Sequence, residues 1–89
     1  ILILWSLPLF GQMTPIDSLA QLPLSASAKE RMALRNRIEP FLDSIKKEEE
    51  KKALAEQYNR IALARKDSIF ISNSYYCLGD FKTQKAYSS

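Results

Sequence analysis

Ile69-Phe70-Ile71-Ser72-Asn73-Ser74-Tyr75-Tyr76-Cys77-Leu78-Gly79-Asp80-Phe81 is the stretch on which the fold turns. Ile69, Phe70, Ile71 and the Tyr75-Tyr76 pair are β-formers, so composition alone leaves strand and helix open. Spacing favours the helix. Ile71, Tyr75 and Leu78 share one helical face, and Ile69, Asn73 and Tyr76 share another about 200° away. A helix with two occupied faces is sandwiched between neighbours. Gly79-Asp80 ends it as a C-cap, and a further helix begins at Phe81.

Working outward, Asp67-Ser68 is a stop and restart, because either side chain can cap a following helix. Residues 46–66 contain neither Gly nor Pro and are rich in the strong helix formers Ala, Leu, Glu, Lys, Gln and Arg. Leu54, Tyr58, Ile61, Ala62 and Arg65 lie along one face of that helix. Its start, Lys46-Lys47-Glu48-Glu49-Glu50-Lys51-Lys52, alternates sign in blocks, which allows Lys46 to pair with Glu50 and Glu48 with Lys52. That pattern marks a solvated helix face. A phosphate-binding stripe clusters one sign and interleaves aromatics.

Further upstream, Leu34, Ile38, Phe41, Leu42 and Ile45 follow a helical stripe. Ser25 or Ser27 can cap it, and Glu30 stands three after Ser27 as in a capping box. Pro40 removes a hydrogen bond to the previous turn, so a kink is expected near residues 38–40, with the stripe staying in register across it. Residues 13–27 turn to Thr, Pro, Ser and Ala with scattered Leu, and Pro15 and Pro23 interrupt any helix there. The expected organisation is an apolar start at 1–11, a linker at 12–26, a kinked helical spacer at 27–47, and helical hairpins at 48–89.

Composition agrees with an all-α chain. Only two glycines occur among 89 residues, too few for a domain that reverses direction at every strand. Histidine is absent and cysteine occurs once, which excludes a Cys/His zinc site, a Ser/His/Asp triad and an internal disulfide framework within the sequence. Cys77 reads as an inert small hydrophobe. Asp17, Asp43, Asp67 and Asp80 are scattered and form no acid/base pair. No enzyme activity and no cofactor are expected. The formal charge of +3 could point to nucleic acid, but nine acids are interleaved with all 13 basic residues after position 28, so no nucleic-acid partner is expected.

The run Tyr75-Tyr76-Cys77-Leu78-Gly79-Asp80-Phe81 resembles the turn of the tetratricopeptide repeat, in which Gly-Asp-Tyr/Phe joins helix A to helix B. The resemblance covers residues 53–89, about one and a half repeats. It implies an incomplete right-handed α-solenoid of helical hairpins. On its register Ser72 takes the small position of helix A, Ile71 the position usually Leu, and Tyr75 the aromatic position, with Leu78 beside it. Gly79 forms the turn, Asp80 caps the next helix, and Phe81 inserts between the two helices. Residues 53–66 look like helix B of a preceding repeat, with Ala53 at its small position and Tyr58 on its packing face. Gln84 departs from the Ala the family prefers. The resemblance further implies that Ile69, Asn73 and Tyr76 line a concave groove for a protein or peptide partner, Asn73 pairing with a ligand backbone. Packing on a following helix is the alternative for Tyr76.

Ile1-Leu2-Ile3-Leu4-Trp5-Ser6-Leu7-Pro8-Leu9-Phe10 reaches about 15 Å as a helix, half a bilayer core. It matches the h-region of a secretory signal peptide truncated at its start, with Gly11 the last residue removed. A hydrophobic tail that caps the domain's own core is the alternative. The signal-peptide reading implies an extracytoplasmic protein, with membrane contact only through this segment if it is uncleaved. An exported lead-in, a helical spacer and then such repeats resembles the N-terminal sensor region of bacterial histidine kinases and regulators. Two functions follow as expectations: the N-terminal part of an exported, non-catalytic peptide-binding scaffold, or a short helical hairpin or coiled-coil subunit with an apolar anchor.

Overall fold

In the computed structural model residues 14–88 are described, and they form five helices and no strand. These are α1 (Pro15–Gln21), α2 (Ala28–Asp43), α3 (Glu48–Arg65), α4 (Ser68–Leu78) and α5 (Phe81–Ser88). The chain is therefore all-α across the described residues. The apolar segment 1–11 lies outside them.

Most of the described helix boundaries have a local chemical cause, the start of α3 at Lys47 being without a side-chain cap. Ser27 accepts from the Glu30 amide while Glu30 accepts from the Ser27 amide, the reciprocal capping box expected at the start of α2. Pro40 sits inside α2 without breaking it. Asp67 caps α4 by accepting from the Ile69 amide, and Asp80 accepts from the Thr83 amide at the start of α5. Helices α3 and α4 end alike. At the end of α4, Gly79 adopts φ +85°, its N–H donates to Tyr76 O, and the Asp80 N–H donates to Tyr75 O. At the end of α3, Lys66 takes the same left-handed conformation at φ +56°, with N–H donation from Lys66 to Leu63 O and from Asp67 to Ala62 O. Both are Schellman motifs, and only one has the glycine that favours it.

The stretch expected as a linker is in part a helix. Thr14 and Asp17 form a second capping box, and Pro15 occupies the first turn of α1, where its missing N–H costs nothing. Ile16 and Leu19 are fully buried against α2 and α3. The two prolines thus bracket a helix: Pro15 starts it and Pro23 follows it. Nor does α2 stand apart as a spacer. Its Leu34, Ile38 and Leu42 join the same core as Ala55, Tyr58 and Ala62 of α3 and Phe70 and Ile71 of α4.

Helix α4 is the centre of the assembly, packing on α2, α3 and α5, as two occupied faces required. Its buried arc, however, is centred on Phe70, Ser74 and Cys77, between the two triplets defined by spacing. Ile71 and Asn73 mark the edges of that arc, and both are buried. On α3 the buried stripe is Ala55, Tyr58 and Ala62 (i, i+3, i+7), so Ala53, expected at the small packing position, faces solvent. Two residues beyond it, Ala55 takes that place.

Candidate functional site

Asn73, expected to meet a ligand, is instead a core residue, 2% exposed. Tyr58 Oη donates to Asn73 Oδ1 at 2.7 Å, and Asn73 Nδ2 donates to Glu39 Oε1 at 2.8 Å. Arg35 Nη2 lies 3.6 Å from the same Glu39 oxygen. The chain Arg35–Glu39–Asn73–Tyr58 thus joins α2, α4 and α3, and it satisfies an amide whose burial would otherwise be costly. One step along the α3–α4 interface, Asn59 Nδ2 donates to Ser74 Oγ at 2.9 Å, and Ser74 Oγ donates to Ile71 O at 2.8 Å. The Tyr58 ring meets Phe70 edge-on at 6.5 Å, and burial pushes its phenol well above the ordinary tyrosine range.

The three residues expected to share a groove are separated by this packing. Asn73 points into the core, Ile69 is half-buried at the start of α4, and Tyr76 is 46% exposed at its end. Phe81, expected between α4 and α5, is 58% exposed. As the first residue of α5 it turns outward past Gly79 and rests against Tyr76, with ring centroids 5.6 Å apart. The α4–α5 contact is filled by other pairs. Tyr75 stacks on Tyr87 at 5.9 Å, and Ser72 Oγ meets both the carbonyl and the side-chain amide of Gln84. Gln84, the departure from the repeat pattern, is therefore matched by the small polar residue opposite.

Tyr76 and Phe81 instead border a cleft of about 460 Å³. Asp43 at the end of α2, Glu48, Lys51, Lys52 and Ala55 on α3, and Cys77 to Gly79 at the end of α4 complete its lining. Among the described residues, none of its four charged side chains has an ion pair within 4 Å. The Glu48–Lys52 pair that spacing allows is not made, and Lys46 precedes the helix altogether. Water competes effectively for long, exposed side chains, so such pairs hold weakly. The cleft thus combines an exposed aromatic pair with uncommitted charges of both signs.

Cys77 lines this cleft half-buried, and its thiol is pushed up to about 12, first by burial and then by the nearby Glu39 and Asp43 carboxylates. It is a poor nucleophile at neutral pH. Among the described residues no group of three or more His, Cys, Asp or Glu is placed to hold a metal ion. No described helix is long and apolar enough to cross a membrane.

Four features of the site and core had no sequence signal. Glu39 reaches Asn73 across 34 positions, and Arg31 pairs with Asp67 across 36 at 3.1 Å. Ile16 and Leu19 sat in a proline-flanked segment. The cleft itself arises where four helix ends meet. No family model, curated protein or solved structure matches the chain.

Proposed function

We propose that the chain is a non-catalytic scaffold that docks a protein or peptide, the N-terminal part of an exported protein of the tetratricopeptide type. The observation that carries the docking reading is the Tyr76–Phe81 pair, open to solvent at the mouth of a cleft with unpaired charges. Exposed aromatic rings beside charged groups are the composition of a recognition patch, because rings contribute area at low entropy cost while charges orient the partner. The helical hairpin closed by left-handed Gly79 supports the repeat-type reading. The apolar decamer at residues 1–10, followed by Gly11-Gln12, supports export. The partner groove in this reading moves from Ile69 and Asn73 to Tyr76, Phe81 and the α3 charges.

Selection from a random peptide display library against the immobilised chain tests the docking reading. Enriched peptides should lose at least tenfold in affinity on Tyr76→Ala or Phe81→Ala, with the helix content unchanged. Peptides that bind both variants as well as the parent, or no enrichment at all, would remove it.

A further inference from the structure

We propose that the cleft takes a second copy of this chain, forming a two-fold dimer in which Glu48 of each copy faces Lys52 of the other. The inference rests on the reading of the cleft as a docking site and names its occupant.

Glu48, Lys51, Lys52 and Ala55 fall at i, i+3, i+4 and i+7, one stripe along α3, and all four line the cleft. Charge along this stripe is polarised. Its N-terminal end is negative, reinforced by Asp43 from α2, and the next turn is positive. The wall therefore carries two acids and two bases, and nothing within the described residues pairs them at 4 Å. A partner complementary to such a wall must present the opposite order of signs at the same helical spacing. The same stripe, turned through 180° about an axis normal to α3, has that order: acid lies over base at both ends. Parallel stacking of two copies sets acid on acid and is disfavoured. A bipolar stripe is thus self-complementary under a two-fold axis, the commonest symmetry of homo-oligomers, in which each contact occurs twice.

The apolar part of the contact comes from Tyr76 and Phe81, which border the same cleft and are 46% and 58% exposed. Burying these rings supplies the affinity, whereas exposed ion pairs contribute little to it and chiefly set orientation and register. The dimer is accordingly weak and is loosened by salt.

Sedimentation equilibrium on the full chain tests this, run from about 10 μM to about 1 mM at low salt and at roughly 0.5 M salt. Glu48→Lys alone and Lys52→Glu alone should each weaken the dimer about tenfold or more, because each substitution creates two like-charge contacts. The double variant carrying both substitutions should regain association. So should an equimolar mixture of the two single variants, in which both contacts are again opposite in sign. Circular dichroism on each variant reports the fold, and Lys52→Glu, beyond the first turn of α3, serves if Glu48→Lys weakens the helix start. A chain monomeric at every concentration overturns the proposal. A dimer indifferent to the charge reversals also overturns it, including one held by the apolar residues 1–10. Peptide binding at Tyr76 by a monomeric chain would leave the docking reading standing without the dimer.

Discussion

Tyr58 and Asn73 meet in the core at 2.7 Å, the phenol donating to the amide oxygen, with neither residue more than marginally exposed. The contact ties α3 to α4, and the other end of the Asn73 amide ties α4 to Glu39 on α2. Removing the Asn73 amide leaves the Tyr58 phenol buried without its acceptor and takes a donor from Glu39. Asn73→Ala is therefore expected to cost the fold about 1–3 kcal/mol. Tyr58→Phe should cost a smaller share, since it leaves Asn73 Oδ1 alone unpaired. Chemical denaturation of both variants checks this, and a neutral Asn73→Ala would mean that the amide is not part of the core network.

The two Schellman ends make opposite expectations. Lys66 holds φ +56° with a side chain, and Gly79 holds φ +85° without one. Lys66→Gly should stabilise by up to about 1 kcal/mol, and Gly79→Ala should destabilise by about 1–2 kcal/mol. No atom lies within 4 Å of where a Gly79 Cβ would stand, so its cost is backbone strain alone. Thermal melts of the two variants should move in opposite directions.

Helix α1 is tested at its two buried residues. Leu19→Ala should destabilise the protein by about 2–5 kcal/mol, as truncation of a fully buried leucine does. Were residues 12–26 only a linker, the same substitution would be silent. Comparison with Leu24→Ala, at an exposed position in the following loop, supplies the control.

Cys77 gives a pH expectation whose sign follows from its raised value. The folded thiol stays protonated up to about 12, whereas in the unfolded chain it ionises near 8.5. Between these limits the unfolded state has released a proton that the folded state keeps. Stability is thus fully present below the unfolded value and is lost as pH climbs toward the folded one. Denaturation midpoints from pH 8 to 11 should fall in the parent more steeply than in Cys77→Ser. Alkylation by iodoacetamide at pH 8 should likewise be slow until the chain opens. Rapid labelling of the native protein at the rate of a free thiol would contradict both.

Export makes a chemical expectation at the other end of the chain. A secreted product should begin at Gln12, read by mass spectrometry of protein recovered outside the cytoplasm. A product that keeps residues 1–10 in the cytoplasm would count against the signal-peptide reading.

Local chemistry in the sequence determined the helical class and most helix boundaries. Ser27 with Glu30, Asp67, and Gly79 with Asp80 act through neighbours three or four residues away, so their roles are readable in one dimension. The periodicity of Leu34, Ile38 and Leu42 likewise names the buried face of α2 correctly. Residues 69–78 are harder, because apolar and polar side chains occur around the whole helix. Spacing alone cannot say which arc faces the core when Asn73 and Ser74 are buried and Tyr76 is not. Tertiary structure made that choice by offering Asn73 two partners, Tyr58 from α3 and Glu39 from α2, that pair both ends of its amide. It also drew Ile16 and Leu19 out of a proline-flanked stretch into the core, and turned Phe81 from an interhelical position to the rim of a cleft. Each outcome depends on side chains brought together from distant positions, and a buried polar group is stable only where such partners converge.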